Sequence, residues 1–188
     1  MDADALLRPG LLADRVIALG GGTALAAGLA GLGARTVALS PSLDEQAAAA
    51  EVAAALAAHG DVDVLLHDLR PGFAREAGAE GFRTALDGAW IAARAVATAA
   101  FIPDERGGRI AFVAPAPAPA DPHAAGARAA VENLARTLSI EWSRFGVRTV
   151  AITPGTATSD GELTALAAYL ASPAGDYFSG CVLALGGV

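Results

Sequence analysis

The sequence contains no lysine, and all 13 of its basic residues are arginine. That absence excludes Schiff-base chemistry, a P-loop lysine and any Tyr–Lys proton relay. There is one cysteine, Cys181, which rules out an internal disulfide or a thiolate metal cluster and suits a reducing cytoplasm. No apolar run is long enough to span a bilayer. The opening MDADALLRPGLLADR starts with acids rather than a basic stretch, which does not read as a secretory signal. A formal net charge of −7 disfavours a nucleic-acid partner, because phosphate binding rests on a basic surface.

What is present is an alanine-rich, 54% hydrophobic chain of 188 residues, enough for one α/β domain over 1–188 and too little for two. Apolar, β-branched runs at 15–20, 35–40, 62–67, 109–114, 147–153 and near the end (CVLALGG) predict six buried strands. Helical segments alternate with them. Thr23 is expected to cap a first helix that Gly33 closes, and Asp44 and Glu45 open a second that Gly60 stops. Pro71 and Gly72 read as a break before a helix at 81–100, and another spans 123–145. The segment GELTALAAYLA forms the last helix. Strands alternating with helices of this length predict a doubly wound parallel sheet with helices on both faces. The Pro-Ala tract PAPAPADP after the fourth strand is too short for a domain linker.

The carboxyl half carries the most specific pattern. GGRIAFVA, then ENLARTLSIEWSRFGVRTVAITPG, then ALAAYLASPAGDYFSGCVLALGG, in that order, resemble the fifth strand, sixth helix–strand–Pro-Gly turn and closing helix–strand of short-chain dehydrogenases/reductases. The resemblance runs over nearly the whole chain and implies a Rossmann-like fold and NAD(P)-dependent oxidoreductase ancestry. It also exposes departures. The glycine-rich turn that such proteins place under the cofactor pyrophosphate is reduced to Gly20, Gly21 and Gly22, followed directly by the helix. Between the second and third strands the family has a further helix–strand–helix with an Asp near the adenine, where this chain has one helix. The family's Asn-Asn-Ala-Gly is replaced by His67-Asp68-Leu69.

The resemblance implies catalysis by Asn, Ser and a Tyr-x-x-x-Lys pair, and none is retained. Aligning ARAAVENLARTLSIEW with the family helix puts Ala124 in the Tyr position and Arg128 in the Lys position. The Ser position falls at Ala114 or Pro115, and the Asn position at Ala89. No shift of register helps: the tyrosines are Tyr169 and Tyr177, the one asparagine is Asn133, and no serine lies between Ser42 and Ser139. Arg128 can hold a cation near a ribose but cannot relay protons. A positioned acid/base contributes roughly 10²–10⁴ in rate. The expected cofactor is therefore none, with NAD(P) retained only as weak, residual binding at Gly20, Gly21 and Gly22.

Two other groups can be read as chemistry. His67-Asp68 sits at a strand's carboxyl end, where open α/β sheets place ligands, but no second histidine–carboxylate cluster accompanies it. His123, beside the lost Tyr position, could substitute as an acid or simply flank a helix start. No Gly-x-Ser-x-Gly elbow is present, which argues against a hydrolase, and no metal site is expected. On 81–100, Phe82, Leu86, Ala89, Ala93 and Val96 form one stripe, and on 123–145 so do Val131, Leu134, Leu138 and Trp142. Helices at these places pair two subunits in the family. Both tryptophans, Trp90 and Trp142, lie on them. The expectation is a catalytically degenerate subunit that assembles with an active relative, or with itself, through 81–100 and 123–145. The alternatives are an oxidoreductase with residual or partner-completed activity, and a small-ligand or nucleotide sensor.

Overall fold

A computed structural model of the protein describes residues 6–76 and 78–186. Six parallel strands form one sheet in the order β2-β1-β3-β4-β5-β6: β1 (Val16–Gly20), β2 (Arg35–Ala38), β3 (Val64–Asp68), β4 (Gly108–Val113), β5 (Val147–Pro154) and β6 (Cys181–Leu185). Every residue of β1 and β3 is buried, because helices cover both faces. This is the doubly wound sheet expected from the sequence.

The helices are α1 (Ala26–Gly31), α2 (Glu45–His59), α3 (Arg70–Arg75), α4 (Gly78–Val96), α5 (Pro122–Glu141) and α6 (Asp160–Ala171). Side chains alternate across each strand, which sorts them into two cores. On one side Val16, Leu65, Ile110, Phe112 and Ala151 meet Val52 of α2, Ala89 and Ala93 of α4 and Val131 and Leu138 of α5. On the other, Ile17, Leu66, Val113 and Ile152 meet Leu29 of α1 and Leu163 and Leu170 of α6.

Caps set several helix ends. The Asp44 carboxylate accepts the N–H groups of Gln46 and Ala47 at 2.8 and 3.2 Å, and Gly60, at φ +83°, ends α2. Ser159 and Glu162 form a capping box at the start of α6. Two expectations fail. Thr23 caps nothing: its carbonyl accepts the Ala26 N–H at 3.0 Å in a turn, and α1 starts three residues later and is only six residues long. Pro71 and Gly72 are not a break but lie inside the short helix α3, where a first-turn proline has no hydrogen bond to lose. The helix read as 81–100 starts at Gly78 and passes into a π turn over Ala97–Phe101. The one read as 123–145 ends at Glu141, before a 3₁₀ turn over Ser143–Phe145.

Between β2 and β3 there is one helix and no strand, so α2 carries the chain from the sheet edge past β1 to β3. The crossovers β2–α2–β3, β3–α4–β4 and β4–α5–β5 advance in one direction with their helices on one face. β1–α1–β2 runs the other way on the opposite face, so all four share one hand, as parallel strands favour. β5–α6–β6 advances in the first direction, yet α6 packs on the α1 face, and its hand is reversed. The α1–α6 contact is close, since a Cβ on Gly28 would lie 2.6 Å from Thr164 Cγ2.

Candidate functional site

The strand order reverses between β1 and β3, and in open α/β sheets the crevice outside the strand ends at such a point is where ligands bind. Here that crevice is formed by Gly20–Gly22 after β1 and by His67, Asp68 and Leu69 at the end of β3, in register through the Gly20–His67 pair. The chain's own packing leaves no room for a side chain at Gly20 or Gly21 and little at Gly22. A Cβ on Gly20 would stand 2.3 Å from His67 Nδ1, one on Gly21 2.0 Å from the Asp68 carbonyl oxygen, and one on Gly22 3.1 Å from Pro71. Gly21 also has φ +77°, a conformation that L side chains rarely adopt. The glycines thus admit β3 and α3 rather than leaving an open cradle.

His67 and Asp68 are buried. Burial pushes the His67 imidazole down from 6.5 to about 4, so the ring is neutral at physiological pH. Its Nδ1 is enclosed and has no hydrogen-bond partner among the described residues. Asp68 is paired. Arg70 Nη2 lies 2.7 Å from Asp68 Oδ2, Arg70 Nε donates to both carboxylate oxygens at 3.0 and 3.1 Å, and the Arg70 backbone N–H donates to Oδ1 at 3.0 Å. The other guanidinium nitrogen, Nη1, reaches Asp160 Oδ1 at 2.8 Å. Hydrogen bonding to Asp68, the largest cause, and then to Asp160 raises the Arg70 pKa further above its already high value. The result is a latch from the end of β3 to the first turn of α6. His67 and Asp68 are neighbours in sequence but not an acid/base couple, since the Asp68 carboxylate is held by Arg70.

Beside this latch is a cleft of about 310 Å³ between the loop after β2, α3 and the start of α4. His67 and Gly21 lie at its wall, and Ser42, Arg75, Glu76 and Glu80 supply polar groups.

The positions matched to catalytic side chains lie just after β4, within α4 and in the first turns of α5. Ala114 is fully buried after β4, Pro115 is buried beside it, and Ala89 is fully buried in α4. Ala124, in the first turn of α5, is 1% exposed. Arg128, one turn on, donates from Nη1 to the carbonyl oxygens of Pro115 at 2.7 Å and Pro154 at 2.8 Å. Burial lowers its pKa. The cation therefore ties the ends of β4 and β5 together. That role was not visible in the sequence, because backbone acceptors leave no residue signature. His123 donates its backbone N–H to Asp121 at 2.9 Å, and its ring faces Gly78 at the start of α4. Among the described residues no group of three or more His, Cys, Asp or Glu side chains could hold a metal.

The helix stripes resolve unevenly. Ala89, Ala93, Val96, Val131 and Leu138 belong to the chain's own core, whereas Phe82, Leu86, Leu134 and Trp142 are half-buried. Trp90 and Trp142 stack on each other with ring centroids 6.1 Å apart and planes at 15°, clipping α4 to the end of α5. Trp90 keeps 38% of its surface exposed, and Ile140 keeps 74%. No described helix is long and apolar enough to cross a membrane.

No protein-family model matches the chain, and comparison with curated proteins gives no match. Solved structures do match. A citronellol catabolism dehydrogenase of Pseudomonas aeruginosa superposes with a TM-score of 0.79 at 24% identity, over 96% of each chain. A short-chain dehydrogenase of Mycobacterium smegmatis gives 0.79 at 23% identity, over 95% of this chain and 94% of that one. A hydroxysteroid dehydrogenase of Escherichia coli gives 0.79 at 18% identity, over 95% of this chain and 98% of that one.

Proposed function

We propose that this chain, whose fold is that of short-chain dehydrogenases/reductases, is a catalytically inactive member of that group with a structural or regulatory role. The observation that carries the reading is at Arg128. Where the resemblance calls for a lysine acting on a tyrosine and a ribose, the cation is bound to two carbonyls of its own chain. Four residues away, Ala124 is enclosed and carries no acid. Neither group can move a proton to or from a substrate.

The strand-end crevice supports the same reading. The residues present do not fit a dinucleotide. The glycine turn is filled by β3 and α3, α1 is a six-residue helix, and Asp68, Arg70 and Asp160 are linked across the opening with one negative charge in excess, which opposes a pyrophosphate. The partner we favour is an active relative of the same fold, joined through the outer faces of α4 and α5, with a second copy of this chain as the alternative. Leu86, Trp90, Leu134 and Ile140 are the apolar side chains available for that contact.

Two measurements test the proposal. Titration of the purified chain with NAD(H) and NADP(H) should give dissociation constants no tighter than about 1 mM. Co-expression with a relative carrying the intact Tyr-x-x-x-Lys pair should yield a stable hetero-oligomer, seen by light scattering. Cofactor-dependent turnover by the isolated chain, or a chain that stays monomeric at micromolar concentration with such a relative present, would overturn it.

The cleft beside His67 favours a second reading, a small-ligand sensor. It has room for a ligand and polar groups along its wall. Micromolar nucleotide affinity without turnover would select this reading over the first.

A further inference from the structure

At the opposite pole of the sheet, under the amino ends of β1, β3, β4 and β5, lies a second cavity of about 380 Å³. Arg15, Arg106, Arg109 and Arg148 line it with only two carboxylates, Asp63 and Asp176, and the rest of its wall is glycine. A chain with a net charge of −7 thus gathers four of its 13 arginines around one hollow.

We propose that this cavity is a binding site for a small hydrophilic dianion, a phosphate or phosphate monoester.

The sheet register makes the arrangement unfavourable without such a ligand. Arg109 and Arg148 are direct partners on β4 and β5, strands about 4.8 Å apart, and both point to the α1–α6 face. Like charges side by side on a sheet repel, and one carboxylate must serve both. Asp176 hydrogen-bonds Arg109 and lies 3.7 Å from Arg148, beyond hydrogen-bond reach. Arg109 also has an enclosed Nε with no partner among the described residues, and its Nη1 makes a 3.5 Å contact with the Ala171 carbonyl.

The other two arginines share Asp63. Arg106 Nη2 lies 2.9 Å from it and Arg15 Nη1 3.5 Å, while the same carboxylate accepts the Val16 N–H at 2.8 Å. Arg106 is further held by the Val62 carbonyl at 2.8 Å and by the exposed Asp61 at 3.2 Å. Arg106 thus has three acceptors, whereas among the described residues Arg15 has one carboxylate at 3.5 Å and Arg148 one at 3.7 Å, which leaves both able to turn to a guest. A tetrahedral dianion accepts from several guanidinium forks at once, which a single carboxylate cannot do. The wall carries no aromatic or aliphatic side chain. It suits a polyol phosphate or inorganic phosphate and offers a nucleobase no aromatic or aliphatic surface.

The test uses the full-length protein and two probes, inorganic phosphate and glycerol phosphate, each against chloride at matched ionic strength. Calorimetry and thermal melting should show saturable binding at one site for the phosphates and none for chloride. Tighter binding of glycerol phosphate would identify an organic phosphate as the guest, and equal binding would identify the free ion. Arg148→Gln should weaken binding by about tenfold or more, the worth of a charge-assisted hydrogen bond, with an unchanged circular dichroism spectrum. Asp176→Asn removes the competing carboxylate and should tighten binding, a gain that misfolding cannot imitate. Phosphate indistinguishable from chloride, or affinity unmoved in both variants, would overturn the proposal.

Discussion

His67 and Gly20 fill one space: the imidazole Nδ1 sits 2.3 Å from where a Cβ on Gly20 would be, so one residue's bulk requires the other's lack of it. The ring that results is enclosed, unpaired at Nδ1 and neutral.

That neutrality sets a pH dependence. Unfolded, the histidine takes a proton near pH 6.5, whereas folded it waits until about pH 4. Between those values the unfolded chain binds more protons, so stability rises with pH and is lost as the pH falls through the window. The shift corresponds to about 3 kcal/mol. Denaturant midpoints measured from pH 7 to pH 4 should fall accordingly, and His67→Asn should flatten most of that slope. An equally steep slope in the variant would place the titrating group elsewhere.

Arg70→Ala should destabilise the protein by about 2 kcal/mol. Asp68 would keep only the backbone N–H of residue 70 as a partner for its buried charge, and the link to α6 would be cut. Asp160→Asn touches only the exposed end of the latch and should change stability by less than about 0.5 kcal/mol. Chemical denaturation of the two variants side by side distinguishes a latch anchored at Asp68 from a diffuse surface ion pair.

Glycines give a test in opposite directions. Gly21→Ala places a Cβ 2.0 Å from a backbone oxygen at φ +77° and should destabilise by about 3 kcal/mol or more. Gly126, exposed on α5, has open space around it, so Gly126→Ala should stabilise by about 0.5–1 kcal/mol through helix propensity. Thermal melts decide both signs.

Installing a Tyr-x-x-x-Lys pair by Ala124→Tyr with Arg128→Lys should not produce reductase activity, because Ala114, Pro115 and Ala89, which the resemblance matches to the Ser and Asn positions, remain without side-chain chemistry. From sequence the stability loss looks modest, provided that the helix end is open. It is not. Ala124 is 1% exposed, and overpacking it should destabilise by about 1–3 kcal/mol. Lysine at 128 would also replace the guanidinium that spans Pro115 and Pro154. Steady-state assays with both nicotinamide cofactors, beside a melting curve, check the two halves of this expectation.

The alternation of apolar runs and helical segments was enough to read the sheet, because fully buried strands such as VIALG and VLLHD and a helix capped by Asp44 announce themselves locally. Gly60 likewise acts within a few residues of the end it defines. What escaped was set by tertiary contact. The six-residue α1 owes its place to the Gly28–Thr164 approach, and α3 is a helix despite Pro71 and Gly72. The site showed the same divide. That Ala124 and Arg128 stand where the resemblance expects Tyr and Lys could be read directly, whereas the hydrogen bonds of Arg128 depend on carbonyls 13 and 26 residues away. The Arg70–Asp160 arm of the latch likewise joins residues 90 apart in the chain.

Going straight from β2 to β3 through α2 leaves β2 as the outer boundary of the sheet, with one row of peptide groups unclaimed by any described strand. Such a margin is a template on which other chains can pair and aggregate. The molecule blunts it by brevity, since β2 is four residues long, and by an exposed Arg35 at its start. Pro41, just beyond its end, has no N–H with which to extend a ladder. Self-association through this margin is therefore held off by features that the strand itself carries.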